Sequence, residues 1–550
     1  MKGLISLKVL IIGGVAAGTK VAAKLKREDR SLDVTILTKG KDISYAGCGL
    51  PYYVGNVIKE KEQLIVNTPE KFSKLTGVNV LTEMEVVKVN AENKTIEAIN
   101  LTNNEKNTYE YDKLVIASGA SPIKPPVEGV DLEGVYFMRT PEDAISLRQG
   151  IEEGKVKRAV VVGGGFIGLE VAENLAKQNV KVSVIDMADH VLPGFDEEMS
   201  EYIENHLSEN GIMVATGVKM ESIIGTDKVE KVKTSRRAMK ADTVVLSMGI
   251  RANTSFLQDS GVELMPNRTV KVNEYMQTNI EDIYAIGDCA CVTNKITNRP
   301  QWSPMGSSAN IEGRLTAKNI LGKNKSYGGA LGTAVCKLPN LNAGRTGLTE
   351  AQAKAENYNP ISVISVVDDK AHYYPGAGNF IVKMIADKDS KKLLGLQVLG
   401  SGDVDKMVDI AVTAISLKAT LDDLENLDFA YAPPFSTAIH PFAHTINILQ
   451  NKINGEFETI TPKEFEDGKA EDYKIIDASM SPTLKTAPYI DLVKVEGVLP
   501  EYKTDENLLL VCAKGKRAYM LQNRMKFYGY TNTKVLEGGL TFNEIDEDEE

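Results

Sequence analysis

Cysteine is scarce in this sequence, which has five cysteines spread over 550 residues. An odd, widely spaced set does not form a disulfide framework, so reduced thiols and a cytoplasmic location are expected. Long apolar runs are also lacking. The stretch Val9–Ala17 contains a Gly-Gly pair and precedes a basic helical pattern. It is therefore predicted to be a buried strand rather than a signal segment, and no membrane association is expected.

Positive charge is in deficit, with 64 Lys and Arg against 75 Asp and Glu, a net charge of −11 and a pI near 5.3. This balance argues against nucleic acid as a partner. The 43% hydrophobic and 25% charged residues are typical of globular proteins and exclude fibrous and disordered classes. At about 150 residues per domain, the length predicts three or four domains.

Two segments repeat the order strand, glycine-rich turn, helix, strand. The first has an apolar strand at Lys8–Ile12 followed by the turn Gly13–Gly18, and the second has Ala159–Val162 followed by Gly163–Gly168. This pattern is typical of dinucleotide-binding βαβ units. The sequence therefore predicts an α/β protein with two Rossmann-like dinucleotide-binding domains.

The second turn has the complete glycine pattern. Gly163, Gly165 and Gly168 allow the tight turn, the close approach of a pyrophosphate and the packing of the helix, and Asp186 follows the next strand. A carboxylate at that position accepts hydrogen bonds from the ribose hydroxyls and repels a 2′-phosphate. These residues are predicted to bind NADH in preference to NADPH.

The first turn departs from the pattern at two positions. Gly13 and Gly18 are present, but Val15 replaces the middle glycine and Thr38 stands where an acid would hold the ribose. Thr38 can still make one weaker hydrogen bond, so a dinucleotide is predicted here without its identity. The further predicted cofactor-binding residues, several of which end apolar runs, are Lys39, Ser118, Gly119, Gly249, Gly287 and Asp288.

The segment Ser44–Tyr53 contains a single cysteine, Cys48. Pro51 suits the first turn of a helix, which places Cys48 at or just before a helix N-terminus, where the dipole and the free amides favour a thiolate. The alternative is a small buried cysteine without chemistry. The neighbouring dinucleotide motifs favour the functional interpretation.

With these motifs the sequence resembles, over about residues 8–450, the flavin-dependent pyridine nucleotide–disulfide oxidoreductases, and among them the single-cysteine coenzyme A-disulfide reductases, NADH-dependent persulfide reductases and NADH oxidases and peroxidases. The resemblance implies FAD in the first fold, with Asp288 contacting the flavin nucleotide, NADH in the second, and a homodimer. It also implies redox chemistry at Cys48. Residues 49–60 contain no second cysteine, so the sulfur partner is external. Gly47 replaces the family's usual asparagine.

Three further residues are assigned catalytic roles through the resemblance. The segments around Tyr373 and Tyr431 are similar to those whose tyrosines reach the partner subunit's cysteine. His440 precedes Pro441, as in the His-Pro of dithiol reductases, where the histidine is an acid and base. Relatives use basic residues after the first glycine turn to bind the coenzyme A phosphates, so the coenzyme A substrate is assigned to Lys24, Arg27 and Ser44. A solvated helix face is the open alternative for the two basic residues.

Near the end of the chain, Cys512 opens the loop Cys-Ala-Lys-Gly-Lys-Arg after an apolar strand. The amides of this loop, with Lys514 and Arg517, are predicted to hold an anionic sulfur species. With this loop, the last part of the chain resembles a rhodanese domain. The predicted domains are therefore a FAD-binding domain (1–152 and 254–330), a NAD-binding domain (153–253), an α+β dimerisation domain (331–455) and a rhodanese-like α/β domain (461–550), which ends in an acidic stretch.

The expected function is NAD(P)H-dependent reduction of coenzyme A disulfide, coenzyme A persulfide or polysulfide at Cys48, with Cys512 handling sulfane sulfur. The partners are then a small-molecule disulfide or persulfide and a second copy of the chain. Two alternatives stay open, an NADH oxidase and a redox-sensing sulfur carrier with little turnover. Cys289, Cys291 and Cys336 lack metal-ligand spacing, and no metal site is predicted.

Overall fold

The computed structural model describes residues 6–545, so the acidic residues 546–550 lie outside the described part. The chain divides into two compact units. The first contains the described residues up to Val191 together with Ser208–Ala330, and the second contains Leu192–Leu207 and the described residues from Leu331 onward. Among the helices of the described residues, none is both long enough and apolar enough to cross a membrane.

The first unit is built around two parallel sheets, each with five strands. In sheet order, the strands of the first sheet are Ile283–Ala285, Lys113–Ile116, Lys8–Ile12, Asp33–Leu37 and Asn79–Leu81. The helix Ala16–Glu28 connects two of them and packs against the helix Gly306–Ile320. Nearly every residue of the central strands is buried, as expected for a parallel sheet covered on both faces.

The second parallel sheet repeats this arrangement. In sheet order its strands are Met213–Ala215, Lys181–Ile185, Arg158–Val162, Thr243–Leu246 and Val135–Tyr136. The helix Phe166–Lys177 joins its two central strands. Because the carboxyl ends of parallel strands lie at one edge, each sheet brings its glycine turn next to the loops that follow the neighbouring strands.

Smaller elements complete the first unit. Its short strands are Met84–Asn90, Thr95–Asn100, Lys106–Glu110, Ala120–Pro122, Met220–Ile224, Lys231–Thr234, Ala238–Lys240, Ile250–Ala252, Val270–Lys271, Ala290–Thr293 and Pro300–Trp302. Its other α-helices are Leu50–Val54, Pro69–Thr76 and Pro141–Glu152, and its 3₁₀ turns are Gly47–Gly49, Lys61–Leu64, Ser255–Leu257 and Gly287–Cys289.

The second unit contains a five-stranded antiparallel sheet. In sheet order its strands are Ala334–Leu338, Leu341–Gly347, Leu393–Gly400, Asn379–Asp387 and Pro360–Asp368. The helices around it are Glu350–Ala355, Val404–Ser416, Leu421–Leu424 and Pro441–Ile453, and most of the helix Glu197–Glu209 also belongs to this unit.

The C-terminal part of the second unit is a parallel four-stranded sheet. In sheet order its strands are Thr459–Ile460, Thr533–Leu536, Leu508–Val511 and Lys474–Asp477, and its helices are Pro462–Glu466, the 3₁₀ turn Leu492–Lys494, Lys516–Phe527 and Gly539–Phe542. The predicted α/β class, with two Rossmann-type sheets followed by α+β and α/β regions, is confirmed. The first strand of the last sheet begins before residue 461, where the sequence analysis began this domain.

Candidate active site

The two glycine turns have the same backbone conformation. Gly13 has φ +109° and Gly163 has φ +111°, and a Cβ atom at either position would lie 2.1 or 2.3 Å from a carbonyl oxygen of the neighbouring strand end. A Cβ on Gly18 or Gly168 would lie 1.9 Å from the oxygen of the glycine five residues earlier. These four glycines are therefore required by close packing within the chain itself.

Gly165 is different, because a Cβ there would meet no protein atom within 4 Å. The space over this turn suits a ligand that approaches the backbone closely, as the pyrophosphate of a dinucleotide does. The nearby Ser247 hydroxyl is buried and has no hydrogen-bond partner. Asp186 follows the strand Lys181–Ile185 and accepts from the Gly164 amide at 2.6 Å. The donor set and the open cradle fit the predicted NAD site.

The corresponding position in the first sheet is occupied by Thr38, which is buried at the end of the strand Asp33–Leu37. Its backbone pairs with Leu81 and Met84. The next residue, Lys39, forms a surface ion pair with Glu85 at 2.8 Å. The Lys39 ammonium is thus held by a neighbouring strand, and its assignment to the cofactor stays a prediction.

The strand ends opposite the first glycine turn are tied together by polar contacts. The Ser118 hydroxyl donates to the Asn253 oxygen at 2.6 Å, and the Asn253 amide donates to the oxygen of Gly119 at 3.0 Å. Gly249 lies just beyond the strand Thr243–Leu246 of the other sheet, and its oxygen accepts from the Ile123 amide at 3.1 Å. These predicted cofactor residues therefore lie in loops that follow the carboxyl ends of strands.

Asp288 lies in the turn Gly287–Cys289 and accepts from the Arg139 guanidinium at 2.8 Å. The Gly287 amide donates to the buried carboxyl group of Glu312 at 2.6 Å. Burial raises the pKa of Glu312 to about 7. Arg139 and Glu312 were not identified from the sequence. The sequence offers one sign that Glu312 has a special role, because this acidic residue lies on the buried face of the helix Gly306–Ile320.

Cys48 lies in the turn Gly47–Gly49, directly before the helix Leu50–Val54. The residue is exposed. Its position at a helix start agrees with the sequence prediction, but the expected stabilisation of the thiolate does not. Desolvation raises the pKa of the Cys48 thiol, the carboxylates of Glu170 and Asp288 raise it further, and Arg139 opposes them. A helix of five residues supplies too little dipole to reverse these effects.

Ser44 positions the start of the cysteine segment, since its amide donates to the Gly14 oxygen at 2.9 Å. The two predicted coenzyme A residues on the helix Ala16–Glu28 differ in their surroundings. Lys24 forms an ion pair with Glu28, whereas Arg27 is exposed. The hydrogen bonds from Lys24 and Lys323 lower the pKa of Glu28 to about 2.

In the second unit, Tyr373 and Tyr431 lie next to each other. Tyr373 is in the loop between the strands Pro360–Asp368 and Asn379–Asp387, and a hydrogen bond between the two side chains raises the pKa of Tyr431. The Tyr373 side chain is 65% exposed and that of Tyr431 48% exposed. The structure therefore brings together two residues that the sequence analysis assigned to the same role from distant motifs.

His440 is the N-cap of the helix Pro441–Ile453, and its Nδ1 accepts from the Phe442 amide at 3.2 Å. The ring is buried and stacks on Phe429 with a centroid distance of 4.5 Å. Burial lowers the pKa of His440 to about 4. The ring is therefore neutral at pH 7, with its proton on Nε2, the remaining nitrogen. The predicted acid and base role stays a prediction.

The lowered pKa predicts a pH dependence of stability. The folded state keeps His440 neutral, while the unfolded chain takes up a proton below the ordinary value of 6.5. The free energy of unfolding is therefore expected to fall as the pH drops from 6.5 towards about 4. His440→Asn retains a capping acceptor without titrating and should weaken this dependence, measured as urea midpoints across this pH range. The exposed His372→Asn serves as control. Equal pH dependence in both variants would contradict the prediction.

Cys512 follows the strand Leu508–Val511 and is buried. Its Sγ accepts from the Ala518 amide, at 3.4 Å, near the start of the helix Lys516–Phe527. The two predicted anion-binding side chains point elsewhere. Arg517 donates to the Ala478 oxygen at 3.1 Å. Lys514 donates to Asp368 at 2.6 Å and to Asn379 at 2.7 Å, two residues of the antiparallel sheet. The Ala518 backbone amide is therefore the one donor found at this sulfur among the described residues.

The other cysteines are enclosed. Cys289 is fully buried and donates to the Ile286 oxygen at 3.2 Å, and burial raises its pKa to about 11. Cys291 and Cys336 are also buried. Of the five thiols, Cys48 is thus the accessible one.

Comparison with known proteins agrees with this geometry. Residues 7–308 match the model of the pyridine nucleotide-disulphide oxidoreductases, and residues 333–443 match the dimerisation domain of the same family. An NADH oxidase of Methanocaldococcus jannaschii is 35% identical over 80% of this chain and 97% of its own. An NAD(P)H coenzyme A polysulfide/persulfide reductase of Pyrococcus horikoshii is 36% identical over 80% of this chain and 98% of its own.

A solved structure extends the similarity beyond these regions. The reduced CoADR-RHD of Bacillus anthracis superposes with a TM-score of 0.92 at 33% sequence identity, over 98% of this chain and 97% of that one. The similarity in fold therefore includes the C-terminal parallel sheet. The chain belongs to the pyridine nucleotide-disulphide oxidoreductases, a family of enzymes that use FAD and NAD(P)H.

Proposed function

We propose that this enzyme uses NADH to reduce coenzyme A disulfide, coenzyme A persulfide or polysulfide at Cys48. The observation that carries the proposal is a lone accessible thiol, close enough to the predicted flavin aspartate Asp288 for that carboxylate to raise its pKa, while the other four cysteines are buried. Without a second accessible thiol, Cys48 has to exchange with an external sulfur compound. The name of the Pyrococcus horikoshii relative supports the same class of substrate.

The residues around Gly13, Ser118 and Asp288 are proposed to hold FAD, which supplies two-electron transfer from NADH to sulfur. The Cys48 thiolate attacks one sulfur of the external disulfide, and the other coenzyme A leaves as a thiolate. Two electrons from one NADH then break the mixed disulfide, which returns the Cys48 thiolate and the second coenzyme A thiolate and releases NAD⁺ and one proton. In the proposed homodimer, the hydroxyls of Tyr373 and Tyr431 of one subunit are proposed to donate to the thiolate that leaves at Cys48 of the other subunit.

His440 is proposed to exchange protons through Nε2, since Nδ1 is engaged with the Phe442 amide. For coenzyme A, whose phosphates carry negative charge, the proposed residues are Ser44, Lys24 and Arg27. Arg27 has the stronger support of the two basic residues, because its side chain is exposed while the charge of Lys24 is compensated by Glu28.

NADH is proposed over NADPH because of Asp186. Replacing Asp186 with alanine removes the acceptor for the ribose hydroxyls and the charge that repels a 2′-phosphate. We expect the ratio of kcat/KM for NADH to that for NADPH to fall by about 10- to 100-fold, the range for one hydrogen bond to a charged group. Steady-state kinetics with both nucleotides measures this ratio. An unchanged ratio in Asp186→Ala, with intact FAD content, would remove the basis for the NADH preference.

The C-terminal sheet is proposed to be a rhodanese-like domain, about residues 461–550, in which Cys512 carries sulfane sulfur. Its support is the position of Cys512 between a strand and a helix N-terminus, with an amide directed at Sγ. The remaining proposed bounds are 1–152 with 254–330 for FAD, 153–253 for NAD and 331–455 for dimerisation. A cytoplasmic homodimer is proposed, and the match to a dimerisation domain supports the dimer.

An NADH oxidase is the second candidate, because the relative from Methanocaldococcus jannaschii has that name. Against it, the family resemblance implies a histidine inside the first glycine turn of oxidases and peroxidases, a position that is Ala16 in this chain. A sulfur carrier with little turnover would, in contrast, not reduce its flavin with NADH.

One comparison of substrates separates these functions. NADH oxidation by the FAD-loaded enzyme is measured with coenzyme A disulfide, coenzyme A persulfide, polysulfide and oxygen as acceptors. The proposal predicts that one of the sulfur compounds gives a kcat/KM well above that for oxygen. Turnover with oxygen alone would support the oxidase, and the absence of flavin reduction would contradict both enzyme functions.

A further inference from the structure

Lys514 connects the Cys512 loop to the antiparallel sheet of the same unit. Its ammonium donates to Asp368 Oδ1 at 2.6 Å and to Asn379 Oδ1 at 2.7 Å. The Lys514 ammonium is thus engaged by two side chains of the antiparallel sheet. Its charge is directed at that sheet rather than at the Cys512 loop. The contact joins positions that are 146 and 135 residues apart in the sequence.

The two acceptors form the neck of one hairpin. Asp368 ends one strand, Asn379 begins the next, and the two residues are directly paired across the ladder. The amide of Asp369 donates to the oxygen of Gly378, and the Gly378 amide donates to Asp369 Oδ1 at 2.8 Å. The loop closed by this neck, residues 369–378, carries Tyr373, whose hydroxyl contacts Tyr431.

The same strand of the antiparallel sheet is fixed to the C-terminal sheet at a second point. The buried carboxylate of Glu537 accepts from the Ile364 amide at 2.9 Å, from Lys452 at 2.5 Å and from the Thr459 hydroxyl at 2.6 Å. The loop of Cys512 is in turn bound to the segment after Glu537, since the Leu540 amide donates to the Cys512 oxygen at 3.1 Å. The strand that accepts from Lys514 and the loop that carries Lys514 are therefore both bound to the segment around Glu537.

We propose that Lys514 is a positioning residue for the reduction reaction, because it fixes the neck of the hairpin that presents Tyr373. The inference rests on the proposed function insofar as it concerns turnover. The ammonium compensates the Asp368 carboxylate and joins it to Asn379, which keeps the two strand ends together. A change in the Cys512 loop then moves the Lys514 side chain. The movement reaches Tyr373 through the hairpin whose neck Lys514 fixes.

Hydrogen exchange tests the structural part without any substrate. In the FAD-loaded full chain, Lys514→Met retains most of the aliphatic stem but cannot donate. Amides in the segment 369–378 are expected to exchange about two- to threefold faster, the effect of losing one partly exposed ion pair. Lys514→Arg should restore most of the protection. The control is Lys526→Met, which removes a comparable ion pair, at 3.1 Å from Glu458, in the same region. Equal exchange in Lys514→Met, Lys526→Met and the unmodified chain would overturn the proposal.

Kinetics tests the link to Tyr373. In Lys514→Met, kcat for the sulfur substrate is expected to fall about tenfold, while reduction of the flavin by NADH stays unchanged. Combined with Tyr373→Phe, the double variant should be about as slow as Tyr373→Phe alone, since both changes remove the same placed hydroxyl. If the loss of kcat in the double variant equals the product of the losses in the two single variants to within about twofold, the two residues act independently and the positioning role is rejected. An unmodified chain that reduces no sulfur compound would instead contradict the proposed function, and hydrogen exchange would still decide on the hairpin.

Discussion

Cys48→Ser is expected to lower kcat for coenzyme A disulfide or persulfide reduction by a factor on the order of 10⁶, the scale found when a nucleophile is removed from an active site. A serine hydroxyl cannot form the mixed disulfide through which the substrate sulfur is reduced. Binding of FAD and its reduction by NADH do not use the thiol and should be retained. Steady-state NADH oxidation and anaerobic bleaching of the flavin absorbance measure the two halves separately.

A matched control is available in Cys291→Ser. The Cys291 thiol is buried and lies 3.6 Å from the Gln301 oxygen, an acceptor that a serine hydroxyl can also use. Its turnover is expected to stay within about twofold of the unmodified enzyme, the scatter for a conservative change away from the site. If Cys48→Ser turned over sulfur compounds at the unmodified rate, the redox role of this thiol would be wrong.

The environment of Cys48 differs from the one that its local sequence predicts. Its raised pKa means that the protein atoms alone favour the thiol over the thiolate. A helix N-terminus, the one local feature visible in the sequence around the cysteine, predicts the opposite. Glu170 and Asp288 lie far from Cys48 in the sequence and approach it only in the folded unit, so their charges could not be included.

The glycine turns, by contrast, could be predicted in detail. The strand, turn and helix of each βαβ unit are local in sequence, and the close contacts of Gly13 and Gly163 follow from that local geometry. The same holds for Pro441 at the start of a helix, which could have identified His440 as an N-cap before the structure was known. Local patterns therefore predicted the cofactor folds well.

Side chains that connect distant segments were the ones missed. Lys514 was predicted to face an anion because it lies in a basic loop next to a cysteine, but the nearest acceptors belong to a sheet formed by residues far earlier in the chain. Tyr373 and Tyr431 were paired through a family resemblance and not through spacing. Long-range contacts depend on how sheets and helices pack, and that information is not present in any single motif.

The second unit contains one more feature of this kind, a buried cluster of charges. Lys383, on the strand Asn379–Asp387, is 1% exposed and its ammonium lies 2.5 Å from Glu198, 2.8 Å from Glu350 and 3.4 Å from Asp196. Although burial disfavours its charge, the carboxylates of these residues raise the pKa of Lys383. Burial raises the pKa of Asp196. One ammonium therefore compensates three carboxylates inside the fold.

Lys383→Met fills nearly the same volume but leaves these carboxylates without a cation. We expect the free energy of unfolding of the second unit to fall by about 3–5 kcal/mol, the usual result of removing one member of a buried ion pair. The uncompensated carboxyl groups will have raised pKa values in the folded state, so the folded state takes up protons more readily than the unfolded chain. The loss should therefore be larger at pH 7 than at pH 5. Urea midpoints at both pH values measure it.

The comparison that isolates burial is Lys391→Met. Lys391 pairs with Asp422 at 3.1 Å, but both side chains are exposed. Its loss should cost no more than about 0.5 kcal/mol at either pH, as for other surface pairs. Adding Glu198→Gln to Lys383→Met removes one uncompensated charge and should restore part of the stability at pH 7. If Lys383→Met proved no less stable than Lys391→Met, the cluster would contribute no net stabilisation, and the cost of desolvating Lys383 would equal its attraction to the three carboxylates.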